Sequence, residues 1–349
     1  MATPSHPELT TTEEQAEAGV LVPVARSSRF RKHPLLWFVV RRCLAGLALA
    51  VLVSLLAFAA TNVLPGDVAS AALGRTATPE AKADLRAELG LDRPLYEQYW
   101  DWISGVAQGD LGTSLAARRP VSEVLGDRFR NTAILALVSI VVIVPLAFVL
   151  GVLAAIKAQR WPDLTISGTT LAIIAIPEFV IGTVLVLIFA VNRGWFPSVS
   201  LVAPGQSPLA TPEVLVLPVA TLLLAGLAYM LRMVRASMVE VMGSDYVEMA
   251  RLNGVPESRV VTRFALRNAL APTVQAIALT LQWLVGGVVI IEVLFAYPGI
   301  GEALVQSVTA RDGPLIQSVA LIIALFYIFV NVVADVIIVL LIPKLRTAQ

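Results

Sequence analysis

Among the polar side chains inside long apolar stretches of this 349-residue sequence, five are candidates to line a path: Glu178, Gln275, Gln282, Asn331 and Asp335. An ionised carboxylate inside a hydrocarbon layer costs several kcal/mol, so Glu178 and Asp335 need a cavity, a cation or a partner. The amides Gln275, Gln282 and Asn331 can hydrogen-bond to a passing solute or to a neighbouring helix. A sixth polar group, Glu292, stands close to the outer boundary of its stretch. Other chemistry is ruled out by composition. The two histidines, His6 and His33, precede the first apolar stretch, and Cys43 is the single cysteine. No disulfide can form within the chain, and no cysteine or histidine cluster offers a metal site. No Gly-x-x-x-x-Gly-Lys-Ser/Thr run is present, so a P-loop nucleotide cradle is absent. Five of the six methionines fall between Met230 and Met249, which excludes a soft-metal relay on the outer side. The residue types suggest no catalytic group and no resident metal.

The elements that must position these groups are membrane helices. The chain is 57% hydrophobic and 15% charged, far from a soluble composition. A net charge of +1 gives no footprint for nucleic acid. Crossing a ~30 Å hydrocarbon layer takes about 20 apolar residues in a helix. Six stretches qualify, approximately Cys43 to Val63, Thr132 to Ile156, Leu164 to Val191, Val214 to Leu231, Leu270 to Val293 and Leu315 to Ile342. The expected fold class is an all-α integral membrane protein with six transmembrane helices. Lys and Arg concentrate on one side, at Arg41, Arg42, Lys157, Arg160, Arg232, Arg235, Arg259, Arg263, Arg267 and Lys344 among others. The two short loops on the other side carry only Arg193 and Arg311, so both termini are expected in the cytoplasm.

Residues 1–34 are polar and lack apolar periodicity, which predicts a disordered cytoplasmic tail. Residues 35–64 hold the first transmembrane helix, 65–131 form an extracytoplasmic segment, and 132–346 form a five-helix core. In the outer segment, Thr78-Pro79-Glu80 predicts a helix start, Leu85, Leu89 and Leu91 supply apolar positions, and Trp100 and Trp102 suit a second helix at the interface. Prolines 145, 177, 218 and 272 lie inside spans and permit bends.

The cytoplasmic loop 243–269 is the most informative segment. Asp245 and Glu248 are spaced as in a capping box, Gly254 suits a left-handed stop, and Pro256 suits the start of another helix. Helix, sharp turn and helix are expected, with Arg259, Arg263 and Arg267 four apart and suited to lipid phosphates.

Glu248-Met249-Ala250, followed by Gly254, resembles the EAA loop of ABC importer permeases. Phe38 to Arg42, Leu64 to Asp67, Leu89 to Pro94 and Gly109 to Ser114 resemble the dipeptide/oligopeptide/nickel-type permeases, first subunit. So do Glu292 to Gly301 and Asn331 to Asp335. The resemblance covers about residues 38–346. It departs at Met249, at Leu266-Arg267 where many importers have Leu-Pro, at Ile338 and Ile342, and at Gly313. It implies a type I ABC importer permease fold in the inner membrane. It also implies a second homologous permease, two cytoplasmic ATPases and an extracytoplasmic solute-binding protein. The chain itself would bind no cofactor; ATP and magnesium would sit on the ATPases. Tyr246, Glu248, Ala250, Gly254, Pro256 and Glu257 would meet the ATPase, and the turn at Glu292, Tyr297, Pro298 and Gly299 would help close the path outside. The cargo implied is a peptide or a similar small solute.

The residues leave alternatives open. Glu178 fits pathway lining or a hydrogen bond at a proline-loosened turn, and Gln275, Gln282, Asn331 and Asp335 fit either a pathway or helix packing. An ion-gradient-driven secondary transporter would need Glu178 and Asp335 as its midplane carboxylates.

Overall fold

The computed structural model describes residues 34–63, 78–88, 90 and 92–341. Nearly all of the expected tail 1–34 lies outside them, as do Leu64 to Asp67, Leu89, Leu91, Ile342, Lys344 and Arg346. Among the described residues the chain is helical, with one isolated bridge, Thr113 to Pro120.

Helix α1 (Pro34–Val63) runs antiparallel to the last helix, α12 (Gly313–Leu341). Three contacts define that pairing. Arg42 hydrogen-bonds to Asp335, Gly46 gives Ile328 room that a β-carbon would fill, and Gln317 Nε2 donates to Thr61 Oγ1 at 2.7 Å. Outside α1 come α2 (Pro79–Glu88) and α3 (Leu95–Ala107). Thr78 opens α2 by accepting from Ala81 N at 3.3 Å. Helix α3 packs on α1. Tyr99 hydrogen-bonds to Ser54 at 2.8 Å and meets Phe58 edge-on, and Trp102 stacks on Phe58. Trp102 thus packs on α1, and Trp100 is exposed.

Helix α4 (Val121–Ile156) starts eleven residues before the expected span. Its first turn is built into a satellite core with Leu125, Ile300, Ala303, Leu315 and Val319. Helix α5 (Trp161–Ile174) and α6 (Glu178–Leu185, continued as a π-helix over Val186–Asn192) form the third span. The bend that Pro177 permits is here a full break. Pro177 cannot donate and pushes Ile176 out of the helical region, so the two halves meet at 99°. Helix α7 (Glu213–Met242) is central, with 67% of its most apolar window buried. Leu222, Met230, Leu231 and Val234 of α7 pack with Leu135 and Ile143 of α4. Gly151 brings α4 and α7 together, since a β-carbon there would lie 2.9 Å from Val234.

The chain then turns through α8 (Asp245–Leu252) and α9 (Glu257–Arg259), and a π-helical run over Val260–Ala265 leads into α10 (Leu266–Leu294). Helix α11 (Ile300–Ala310) lies between α10 and α12. Five helices are long and apolar enough to span a membrane, and there are six if the bent pair is taken as one span.

Candidate functional site

The loop after α7 is a small structure with its own core. Val247, Ala250 and Val260 are buried together, with Val255 and Phe264 packed against them. The expected capping box is not what starts α8. Ser244 takes the N-cap position, and its hydroxyl turns back to donate to Val241 O at 2.6 Å. Asp245 and Glu248 stand in the first turn, where the helix dipole favours acidic groups. The far end is a Schellman stop. Val255 N donates to Ala250 O at 3.1 Å and Gly254 N donates to Arg251 O at 2.9 Å. Gly254 has φ +74°, and a β-carbon there would touch nothing within 4 Å. Backbone handedness, not space, calls for glycine here.

Arg251 ties the turn together. Its guanidinium donates to both oxygens of Glu257, at 2.9 and 3.2 Å, and to Met242 O at 3.3 Å. Glu248 completes the cluster at 3.7 Å. The hydrogen bonds from Arg251 hold the Glu257 carboxyl below its ordinary range, and Glu257 in turn raises Arg251. Pro256 caps α9 with extended backbone, and Asn268 Nδ2 donates to the Tyr246 hydroxyl at 2.9 Å. Ala250 faces inward, whereas Tyr246, Met249 and Leu252 face solvent, Leu252 at 73% exposure. Met249 and Leu252 were missed as surface groups because the spacing of the loop marks its turn and not its outward face. Arg259, Arg263 and Arg267 are all exposed.

At the other end, Glu292 is fully buried and engages the turn that follows α10. Its Oε1 accepts from Thr132 Oγ1 at 2.6 Å, and its Oε2 accepts from Gly301 N at 2.7 Å. The carboxylate thus meets the positive end of α11. Tyr297 is buried with its hydroxyl donating to Asn131 O at 2.8 Å, and Asn131 Nδ2 donates to Pro298 O at 2.9 Å. Gly299 lies directly on the Glu292 carboxylate. A second buried carboxylate, Asp312, caps α12 and accepts from Ser114 Oγ and from Ala116 N at 3.2 Å. It was missed as a functional anchor, although Asp-Gly-Pro is a legible helix start.

The candidate pathway residues separate. Gln282 Nε2 donates to Asn331 Oδ1 at 3.0 Å, and Tyr327 donates to Gln282 O at 2.7 Å, which joins α10 to α12. Asp335 is engaged by Arg42. Gln275 is exposed. Glu178 lies elsewhere, on a cavity of about 660 Å³ lined also by Ile176, Phe179, Tyr229, Thr280 and Trp283. The structure therefore leaves Asp335 and Glu178 in different surroundings. Gly182 seats α6 between α7 and α10, since a β-carbon there would lie 2.5 Å from Leu294 and 3.2 Å from Thr221. One turn earlier, the Glu178 carboxylate rests against Gly287, at 3.2 Å from where a β-carbon would be.

A buried ion pair links α5 to α7, two of the helices that wall the cavity. Asp163 of α5 is 2% exposed, and Arg235 of α7 donates to it through Nε and, at 2.7 Å, Nη2. Gln159 N and Ser167 Oγ also donate to Asp163, at 2.8 and 3.0 Å.

Residues 147–347 match the family described as binding-protein-dependent transport system inner membrane component, and residues 35–150 match its N-terminal part. The chain is similar to the glutathione transport system permease protein GsiC of Escherichia coli O6:H1, at 38% identity over 309 residues, 88% of this chain and 98% of the relative. The protein of that name from Salmonella typhi is 38% identical over 311 residues, and that from Escherichia coli K12 is 37% identical over 309, with the same coverage. A match along almost the whole chain, on a helical fold with a folded loop at one end, shows that it belongs to the binding-protein-dependent transport system inner-membrane components: it is a multi-pass permease subunit of an ABC importer that works with ATPase and binding-protein partners, and not an enzyme.

Proposed function

We propose that this permease pairs with a second, homologous permease around a central path for peptides or similar small solutes, and that two cytoplasmic ATPases drive it. The observation that carries this reading is the α8 turn. It presents Tyr246, Met249 and Leu252 to solvent on a base held by Arg251 and its own core. A rigid apolar knob of this kind suits insertion into a groove on an ATPase. Both termini then lie in the cytoplasm, and loop 243–269 is the coupling element, with Glu248, Gly254, Pro256 and Glu257 fixing its shape. The solute-binding protein docks on the opposite face, on residues of the 65–131 segment. ATP and magnesium bind the partners alone. The glutathione systems of the relatives support a cargo of peptide character.

Closure of the ATPases pulls the α8 turn and, through Met242 and the Arg235–Asp163 pair, the two helices that wall the cavity. The path then opens outward by alternating access. Glu178 lines that path, while Gln282, Asn331 and Asp335 hold helices together. Reconstitution with the partner subunits and the Gly254→Asp variant tests the reading. Loss of binding-protein-stimulated ATP hydrolysis with intact assembly supports coupling at this turn, and normal coupling overturns it.

A further inference from the structure

Glu178 is the one charged side chain among the described residues that line the cavity beside the broken third span. No hydrogen bond or ion pair engages it among the described residues. The rest of the lining is apolar or aromatic apart from Thr280, with Phe179, Tyr229 and Trp283 among it and no Lys or Arg. Two glycines shape the place. Gly287 leaves room for the carboxylate, and Gly226 lets the Trp283 ring lie where a β-carbon would come within 3.0 Å of it.

A carboxylate facing lipid at this depth is too costly to keep, so the mouth of the cavity faces water or a protein surface. A half-buried negative charge without a counter-charge attracts cations, and aromatic faces add cation–π attraction for an ammonium group. We propose that Glu178, with Trp283 and Tyr229, forms a station in the path that receives the primary ammonium group of the solute. This deepens the reading above, since it assumes that the cavity belongs to the path. An ammonium-bearing solute replaces its lost water with Glu178, whereas an anionic solute is repelled. The station thereby adds a charge filter inside the membrane.

The first test needs no cargo. In full-length protein with Cys43→Ser and Ala225→Cys, the new thiol stands on the cavity lining. With each rate divided by that reagent's rate with free 2-mercaptoethanol, a cationic methanethiosulfonate (trimethylammonium-ethyl) is expected to react about tenfold faster than the anionic sulfonatoethyl reagent. Adding Glu178→Gln is expected to bring the two rates together, and Glu178→Asp to keep them apart. Equal rates with Glu178 in place overturn the proposal.

The second test reads uptake in proteoliposomes holding the complete transporter and its binding protein. The probes are Ala-Ala-Ala, N-acetyl-Ala-Ala-Ala and N-acetyl-Ala-Lys-Ala. Glu178→Gln is expected to slow an ammonium-bearing probe about tenfold and to leave the fully acetylated one unchanged. Whichever of the first and third probes is slowed shows whether the α-amino group or the side-chain amine is read. Unchanged uptake of all three, with stimulated ATP hydrolysis intact, overturns the proposal. Absence of ATP-driven uptake by the unmodified transporter instead strikes the peptide reading, and the thiol rates then decide the charge preference by themselves.

Discussion

A β-carbon on Gly299 would stand 2.0 Å from Glu292 Oε1, so the turn after α10 and the buried carboxylate exclude any larger residue between them. Glu292 cannot swing aside without giving up Thr132 and Gly301. Gly299→Ala is expected to destabilise the protein by about 3 kcal/mol, at the upper end of overpacking effects. Thermal unfolding in detergent measures it. Gly126→Ala is the control, because that helical position is open within 4 Å, and it is expected to be neutral or slightly stabilising.

The Arg251–Glu257 contact predicts a pH dependence. Glu257 has its carboxyl pKa depressed by Arg251, so the folded turn gains stability that is fully present above the free carboxyl value of about 4.3. That gain is lost as the pH falls through the depressed value. Hydrogen-exchange protection of Gly254 and Val255 is expected to be level from neutrality to about pH 5 and to fall below about pH 4. In Glu257→Gln this acid-sensitive part disappears. An unchanged acid limb in that variant would show that another group controls the turn.

The chain's features were legible to different degrees. Long apolar runs announced the helices, because a lipid-facing surface needs no periodicity and run length alone reveals it. Gly254 was legible because a left-handed stop leaves few residue choices. The break at Pro177 was not, since Pro145, Pro218 and Pro272 sit inside unbroken helices. What separates them is whether neighbours shelter the freed backbone groups, and sequence does not show this. The same limit hid the pairings of Asp335 with Arg42 and of Gln282 with Asn331, which depend on which helices become neighbours. Met249 looked like a departure from a small-residue pattern. Its role as an outward-facing group appeared only once Ala250 was seen to take the inward place.

Asp163 and Arg235 offer a prediction about transmission. Removing one partner of a buried pair costs about 3–5 kcal/mol, and the partial exposure of Arg235 puts this site near the lower end. Asp163→Asn is expected to reduce thermal stability by that order and to weaken the link between ATP hydrolysis and uptake. The double variant Asp163→Asn, Arg235→Gln is expected to regain part of the stability, since no charge is left unpaired. Uptake per ATP hydrolysed, compared across the single and double variants, checks the coupling part.

Ala296 has φ +48°, a left-handed conformation that costs an L-residue energy, in the turn between α10 and α11. Ala296→Gly relieves that strain and is expected to stabilise the protein by about 0.5–1 kcal/mol. Equilibrium unfolding in mixed micelles measures it. A loss of stability would mean that the methyl group packs well enough to outweigh the strain.

Helix α7 runs unbroken for 30 residues up to the α8 turn. At 1.5 Å per residue it is about 45 Å long, some 15 Å more than the hydrocarbon layer is thick. Set along the bilayer normal, α7 would carry that surplus beyond the hydrocarbon layer as a handle. A tilt of about 10° around one end sweeps the other by about 8 Å, more than a full helical turn. Small rotations imposed at the handle therefore become displacements wide enough to uncover or seal a solute-sized opening, and the gearing is set by helix length alone.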